Sequence, residues 1–132
     1  MSMVVDTSAL VAIVLGEPDA ERYLEAIRRS AGPPSLSAAN AVEATVVVEA
    51  RQGREASRDL SLLVAESGMA VVPVTADQVP LAVDAWRRFG KGRHPAGLNL
   101  GDCFAYALAR AQGVPLLFKG DDFNQTDLPT VL

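Results

Sequence analysis

The chain alternates short apolar runs with longer segments in which apolar residues recur at helical spacing. Runs of strand length lie at residues 3–5, 70–74 and 114–118, and a briefer one lies at residues 35–36. Runs of this length, bounded by turn residues and helical sequence, are typical of buried strands. Strands that alternate with helices predict a parallel sheet covered by helices. We therefore predict the α/β class, with a short parallel sheet flanked by helices.

Helical periodicity and capping residues predict six helices in the rest of the chain. Their spans are about 8–15, 17–31, 37–52, 55–67 and 99–112, with a further helix that opens at residues 75–78. In that further helix Val79, Val83 and Trp86 recur on one face, which is predicted to point to the core. Pro73 has no backbone N–H, so its strand is predicted to lie at or near a sheet edge.

The composition is that of a folded protein, and we expect residues 1–132 to form a single domain. Of the 132 residues, 49% are apolar and 21% are charged, which is enough apolar mass to bury a core. Cys103 is the only cysteine, so no disulfide framework is possible and a reducing, cytoplasmic setting is expected. No segment approaches the ~20 apolar residues that span a bilayer, and the N-terminal run lacks the charged flank of a signal peptide.

The net charge of −4 limits the ways in which the chain could bind nucleic acid. Domains that hold nucleic acid by bulk electrostatics are usually basic. A nucleic-acid enzyme could still be acidic if metal ions and a local basic rim met the phosphates. The only concentrated basic patch, residues 87–95, contains Lys91 and Arg93. It is either a solvated helix end, where cations are favoured, or a rim that contacts phosphate.

Two of the apolar runs end directly in acidic residues. Asp6 follows the first run, and Asp121 and Asp122 follow the last. Ligands of open α/β sheets bind beyond the carboxyl ends of the strands, and successive parallel strands present those ends on one side. These acids are therefore expected at one rim of the sheet. The alternative for Asp6 is that it merely caps the helix that follows it.

Two further acids belong to predicted helices. Glu43 falls on the apolar stripe of the third helix, where an unpaired carboxylate is costly. It is therefore either paired with an arginine or lysine or bound to a metal, and the residues alone leave both open. Asp102 lies in the first turn of the helix that Asn99 caps, where the helix dipole by itself would favour an acid. The stripe of the third helix comprises Ala39, Glu43, Val46, Val47 and Ala50.

Acids that converge on one cleft indicate a bound cation. Several carboxylates at close quarters raise each other's pKa unless a positive charge compensates. Because histidine and cysteine ligands are lacking here, all-oxygen coordination favours Mg²⁺ or Mn²⁺. One or two such ions can activate water and stabilise the leaving oxygen in phosphodiester hydrolysis.

Four sequence blocks, in order along nearly the whole chain, resemble the PIN-domain ribonucleases, and among them the VapC toxins of type II toxin–antitoxin pairs. The resemblance implies a three-layer α/β/α fold and an Mg²⁺- or Mn²⁺-dependent endoribonuclease that cleaves tRNA or other structured RNA and so inhibits translation and growth. It also implies a homodimer and a VapB-type antitoxin. The blocks are VVDTSAL at residues 4–10, NAVEA at 40–44, LNLGDCFAYA at 98–107 and LLFKGDDF at 116–123.

The same resemblance implies roles for individual residues. By match to the family motifs, Asp6, Glu43 and Asp102 would be the acidic triad that holds the metal. In many relatives the fourth acid follows a Thr-x pattern after the last core strand. The residue at that position here is not acidic, so Asp122 is favoured as the fourth acid and Asp121 is its rival.

Four residues are predicted to support the acids or the substrate. Thr7 and Ser8 would hold Asp6 or a water on the metal, and Lys91 and Arg93 would steer the RNA backbone. A phospho-receiver domain is the rival class, but it needs an acidic pair after the first strand, where only Asp6 is present. A PIN fold kept as an inactive binding module is a third reading, and the full triad argues against it.

Overall fold

The computed structural model describes residues 2–132 and contains one four-stranded sheet in which every neighbouring pair is parallel. Val4 pairs with Ser35 on one side and with Leu116 on the other. The carboxyl end of the first strand therefore opens at an interior position of the sheet rim. The strands, in the spatial order β3-β2-β1-β4, are β1 (Val4–Val5), β2 (Ser35–Ser37), β3 (Ala70–Val72) and β4 (Leu116–Leu117).

The six predicted helices are all present, so the α/β class is confirmed. The sequence Thr130-Val131-Leu132 would suit a final strand, but this segment forms only a single bridge between Leu116 and Thr130. A short 3-10 helix (Asp122–Gln125) follows β4. The helices are α1 (Thr7–Val14), α2 (Ala20–Arg28), α3 (Ala38–Gln52), α4 (Arg54–Glu66), α5 (Gln78–Phe89) and α6 (Leu100–Gln112).

The core consists of two apolar clusters, one on each face of the sheet. Successive residues of a strand point to opposite faces, so Val5 and Leu117 belong to one cluster whereas Val4 and Leu116 belong to the other. The first cluster packs the sheet against α1 to α4, and the second packs it against α5 and α6. This arrangement is the predicted three-layer α/β/α fold.

The prediction for the inner face of α5 was wrong. Val79 and Trp86 are 54% and 47% exposed, whereas Ala85 and Phe89 are buried. The small side chain of Ala85 and the ring of Phe89 lie in the same cluster as Tyr106 of α6. Because α5 carries apolar residues on two faces, its periodicity could not identify which face packs against α6.

The stripe predicted for α3 also differs from the face that is buried. Asn40, Ala44 and Val48 are fully buried, whereas Val46 is 61% exposed. The buried face thus lies one position away from the predicted stripe, and it begins with a polar residue. Because asparagine is polar, the hydrophobic pattern did not assign Asn40 to the core, and the predicted stripe ran through Glu43 instead.

The edge position predicted for the third strand is confirmed, since β3 is the end strand in the sheet order. The segment Thr75-Ala76-Asp77-Gln78 resembles a capping box in sequence, but α5 begins at Gln78, and Asp77, which precedes it, makes no side-chain capping bond. Cys103 is buried, as expected of a small apolar side chain. Within residues 2–132, no helix combines the length and the hydropathy required to cross a membrane.

Asp127 ties the C-terminal segment to α5 and α6. Its Oδ1 accepts a hydrogen bond from the Tyr106 hydroxyl at 2.7 Å, and its Oδ2 pairs with Arg110 at 2.9 Å and with Arg88 at 3.2 Å. These contacts lower the pKa of Asp127, although its partial burial opposes them. The charge of Asp127 therefore contributes to the stability of the fold.

We expect Asp127→Asn to lower the free energy of unfolding by about 1 kcal/mol, because the amide keeps the shape but loses the charge that faces two guanidinium groups. Urea denaturation at pH 7 measures the change. Asp59→Asn is the matched control, because Asp59 is exposed and lies outside this cluster. Equal stability losses in both variants would contradict a specific role for Asp127.

Candidate active site

Asp6 lies immediately after β1 and is the N-cap of α1. Its Oδ2 accepts hydrogen bonds from the Ser8 backbone N–H at 3.0 Å and from the Ser8 hydroxyl at 2.6 Å. Its Oδ1 is buried and has no hydrogen-bond partner within residues 2–132. Burial raises the pKa of Asp6 to about 6, even though the bonds from Ser8 oppose the shift. Asp6 thus caps the helix through one oxygen and leaves the other free.

Glu43, in α3, has its carboxylate packed directly against α6. A Cβ placed on Gly101 would overlap both carboxylate oxygens, so the lack of a side chain at Gly101 creates the space that Glu43 fills. The Nδ2 of Asn40 donates a hydrogen bond to Glu43 Oε1 at 3.3 Å. None of the ion pairs found within residues 2–132 involves Glu43. Within these residues, the structure therefore excludes the arginine or lysine partner that was one of the two alternatives for Glu43.

Asp102 begins α6 in a reciprocal capping box with Asn99. The Asn99 Oδ1 accepts from the Asp102 backbone N–H at 2.9 Å, and the Asp102 Oδ2 accepts from the Asn99 backbone N–H at 3.0 Å. Burial, followed by the charge of Asp6, raises the pKa of Asp102 to about 7. Smaller contributions from Asp122 and Glu43 act in the same direction. The charges of Asp6, Glu43 and Asp122 therefore all act on Asp102.

The two consecutive acids after β4 differ in their surroundings. Asp122 begins the 3-10 helix, and its charge is among those that raise the pKa of Asp102. Asp121 instead lines a separate small cavity with Tyr23 and Phe118. Both side chains are exposed. The electrostatic coupling therefore favours Asp122 as the fourth acid. Asp6, Glu43 and Asp102 together are called the acidic cluster below.

The hydroxyls of Thr7 and Ser8 have different partners. The Ser8 hydroxyl donates to Asp6 and accepts from the Lys119 backbone N–H at 2.9 Å, so it joins the acidic cluster to the loop after β4. The Thr7 hydroxyl instead contacts Asn40, at 3.4 Å from its backbone carbonyl and 3.2 Å from its Nδ2. Ser8 is therefore positioned to hold Asp6, whereas Thr7 acts on the residue that contacts Glu43.

The predicted basic rim lies beside a cavity whose lining is mostly apolar and includes Asn99 at the start of α6. Lys91 lines a cavity of about 620 Å³ together with Trp86 and Asn99, and Asn99 is the residue that caps the helix of Asp102. The guanidinium of Arg93 stacks over the Trp86 ring at 4.6 Å from its centroid. Lys91 and Arg93 are both exposed. Lys91 and Arg93 are therefore accessible to the phosphates of a bound RNA.

The donor set of the acidic cluster fits a divalent cation. Asp6 offers a buried carboxylate oxygen with no partner within residues 2–132, and the pKa values of Asp6 and Asp102 are raised by burial and, to a smaller extent, by the neighbouring acids, both of which a bound cation would offset. Within residues 2–132, no three acidic, histidine or cysteine side chains already stand at metal-ligand distances. Mg²⁺ commonly keeps several waters and uses only one or two carboxylates, so the fit does not need a preformed three-ligand cage.

Metal-free protein should become less stable as pH rises, and Asp6→Asn should remove part of that dependence. The carboxyl of Asp6 binds its proton up to about pH 6 in the native state but only up to 3.8 when unfolded. Its contribution is therefore fully present below pH 3.8 and lost as pH rises through about 6. The stability gap between wild type and Asp6→Asn should shift by about 2–3 kcal/mol between pH 4 and 8.

Urea denaturation in chelator-treated buffer measures this gap at each pH. Asp59→Asn serves as the control, because its exposed carboxyl should leave the pH dependence unchanged. A gap between wild type and Asp6→Asn that stays constant from pH 4 to 8 would show that Asp6 titrates normally in the folded protein.

Asn40 is the functional candidate that sequence reasoning missed. It is fully buried in the first turn of α3, with contacts to Thr7, Glu43 and Gly101. The sequence placed it in the same motif as Glu43, but the predicted stripe ran along the neighbouring face. The only available signal was an asparagine three positions before an acid in a helix, and this pattern alone is weak.

Comparisons with known proteins agree with this geometry. The PIN domain family matches residues 3–128. Ribonuclease VapC30 of Mycobacterium tuberculosis is 50% identical over 129 residues, which cover 98% of each chain. The acidic cluster and the rim therefore occur in a chain whose full length is similar to a VapC ribonuclease.

Two solved structures share the fold. The structure of the sarcin–ricin loop cleaving toxin VapC20 of Mycobacterium tuberculosis aligns with a TM-score of 0.80 at 19% identity, over 96% of each chain. A toxin–antitoxin complex from Klebsiella pneumoniae aligns with a TM-score of 0.69 at 20% identity, over 96% of this chain and 93% of that one. The family match and the identity with VapC30 show that this chain belongs to the PIN-domain family and, within it, to the VapC ribonucleases, the toxins of toxin–antitoxin pairs.

Proposed function

We propose that the ribonuclease activity requires Mg²⁺ or Mn²⁺ and is directed at structured RNA, such as tRNA, in the cytoplasm. The observation that carries this proposal is the Oδ1 of Asp6, which lies near Glu43 and Asp102 and has no partner among residues 2–132, where Glu43 also forms no ion pair. A divalent ion at these oxygens supplies a Lewis acid for phosphodiester hydrolysis. Cleavage of such RNA would stop translation and growth.

Each part of the site has a distinct task in this proposal. The acidic cluster holds the cation, and the buried Asp6 is oriented for this by its two hydrogen bonds from Ser8. Asp122 adds negative charge at the exposed side of Asp102. Lys91 and Arg93 attract the RNA backbone, which compensates locally for the net charge of −4.

Cleavage assays on a pool of purified structured RNA test the metal requirement. Antitoxin-free protein should cleave with Mn²⁺ or Mg²⁺ and stop when a chelator is added. The variant Lys91→Ala, combined with Arg93→Ala, should weaken RNA binding and reduce its salt dependence, with a smaller effect on kcat. Undiminished cleavage in excess chelator would contradict the metal-dependent mechanism, whereas cleavage of no RNA would contradict the activity itself.

We also propose a VapB-type antitoxin that inserts a basic side chain into the acidic cluster. Guanidinium forks onto carboxylates through two hydrogen bonds, and Asp6 Oδ1 and Glu43 lack a cationic partner among residues 2–132. Such a residue would compete with the metal. Co-expression with the adjacent reading frame, followed by substitution of each arginine and lysine in its tail, identifies it. An antitoxin that inhibits fully without any of them would contradict this insertion.

Homodimer formation is proposed on the same family membership. Trp86 is 47% exposed and Leu100 is 75% exposed beside the cavity described above. Large apolar side chains grouped on a surface often mark a protein interface. Sedimentation equilibrium should show a dimer, and a monomer at all concentrations would contradict this part of the proposal.

A further inference from the structure

The side-chain amide of Asn40 connects three helices within one buried space. Its Nδ2 lies 3.0 Å from the Gly101 carbonyl oxygen, 3.2 Å from the Thr7 hydroxyl and 3.3 Å from Glu43 Oε1. All three partners are able to accept a hydrogen bond. Asn40 itself is completely buried. One side chain on α3 therefore contacts α1, α3 and α6 together.

Each of these contacts is next to a member of the acidic cluster. Thr7 directly follows Asp6, Gly101 directly precedes Asp102, and Glu43 is contacted itself. The amide therefore acts on Glu43 directly, and it acts on Asp6 and Asp102 through the neighbouring residue in the chain. Metal coordination tolerates only small deviations in ligand position. We therefore expect loss of these contacts to affect ion binding more than it affects folding.

The nitrogen and the oxygen of the Asn40 amide have unequal numbers of hydrogen-bond partners. An amide nitrogen has two hydrogens, and here three acceptors surround it, with Glu43 the most distant. Glu43 is thus oriented by the amide while its carboxylate keeps capacity for a cation. The oxygen of the Asn40 amide is buried and has no hydrogen-bond partner in the described part of the chain.

Two other buried side-chain oxygens also lack a partner within residues 2–132. Within residues 2–132, the buried side-chain oxygens that lack a partner are those of Asp6, Ser37 and Asn40. Val4 pairs with Ser35, so Asp6 and Ser37 occupy equivalent positions at the carboxyl ends of β1 and β2. Buried polar atoms are rarely left unsatisfied in proteins. Two of the three belong to Asp6, a member of the acidic cluster, and to Asn40, which contacts Glu43.

We propose that Asn40 is a positioning residue that sets the spacing of Asp6, Glu43 and Asp102 for a divalent cation. The inference rests on the proposed metal-dependent function, and it adds a residue that determines metal affinity without being one of the acids. Loss of the amide frees Glu43 and uncouples α1 from α6. The expected consequence is weaker metal binding and slower turnover, with little change in RNA binding.

The test measures Mn²⁺ binding to purified protein by titration calorimetry, without RNA. Asn40→Ala should weaken Mn²⁺ binding about tenfold or more and lower kcat by about 10- to 100-fold, as expected when the reacting groups are displaced by about 1 Å. The KM for RNA should stay within about threefold, because the phosphate-contacting rim is untouched. Asn40→Ser, which keeps one donor and is smaller, should fall between Asn40→Ala and wild type.

Val48→Ala is the matched control, because Val48 is fully buried on the same face of α3 but lies two turns away from Asn40. It should lower the melting temperature without changing the affinity for Mn²⁺. If Asn40→Ala and Asn40→Ser bind Mn²⁺ as wild type does, the inference is wrong while the nuclease proposal stands. If wild type binds Mn²⁺ but cleaves no RNA, the proposed activity fails and the binding comparison still decides the role of Asn40.

Discussion

An Asp102→Asn variant is expected to lose RNA cleavage by about 1,000-fold or more and to become more stable in metal-free buffer. The loss of activity follows because a carboxylate that helps to hold the ion supplies several kcal/mol of transition-state stabilisation through it. The gain in stability follows because the Asp102 carboxylate is mostly buried and lies near the charges of Asp6, Asp122 and Glu43, and these effects together raise its pKa. Opposite signs for activity and stability distinguish a functional acid from a structural one.

The amide of the variant can keep the structural part of the role of Asp102. Its oxygen remains able to accept from the Asn99 backbone N–H, which Asp102 contacts at 3.0 Å. The capping box that begins α6 should therefore survive. Helix content by circular dichroism should match wild type, and the free energy of unfolding at pH 8 should rise by about 1 kcal/mol as like-charge repulsion is relieved.

Three measurements on one preparation check this prediction. They are single-turnover cleavage of RNA with Mn²⁺, urea denaturation in chelator, and the rise in melting temperature on addition of Mn²⁺, which should be large in wild type and small in the variant. Asp59→Asn is the control for a lost surface charge. A variant that is inactive and also markedly less stable would indicate that Asp102 mainly supports the fold.

The sequence was sufficient to predict the helices, the parallel sheet and the rim to which the acids belong. Asp6 could be placed because a strand this short ends at the residue that caps the next helix, which leaves little freedom in its position. The exposure of Trp86 could not be predicted, because α5 has apolar residues on both faces and only the packing of Ala85 against α6 selects one. The burial of Asn40 could not be predicted either, because it depends on contacts with residues that lie 33 and 61 positions away in the sequence.

The choice between Asp121 and Asp122 shows a different limit. Both follow the same strand, and their order in the sequence does not say which side chain turns toward α6. The 3-10 helix that begins at Asp122 brings its charge within reach of Asp102, and Asp121 lines a cavity with Tyr23. Two adjacent aspartates that the sequence does not distinguish therefore have different surroundings in the structure.

The acidic cluster also depends on a residue with no side chain, and this dependence gives the second large expected effect. Gly101 contacts the Glu43 carboxylate so closely that any Cβ would overlap both of its oxygens. Its backbone angles are helical, so alanine is not conformationally strained there, and alanine is favoured over glycine within a helix by roughly 0.5–1 kcal/mol. The fold should therefore tolerate the change, while the position of Glu43 should not.

Gly101→Ala should reduce kcat by about 100-fold, since displacement of a reacting group by about 1 Å has an effect of this size. Its melting temperature in chelator should stay within a few degrees of wild type. Gly32→Ala is the matched control, because Gly32 has open space around its Cα and no unusual backbone angle; it should leave kcat unchanged. A second variant, Gly101→Ala with Glu43→Asp, shortens the displaced side chain by one methylene and should recover part of the lost Mn²⁺ affinity. Wild-type turnover in Gly101→Ala would show that the Glu43 carboxylate can move freely without loss of function, which would remove Glu43 from the metal-holding group.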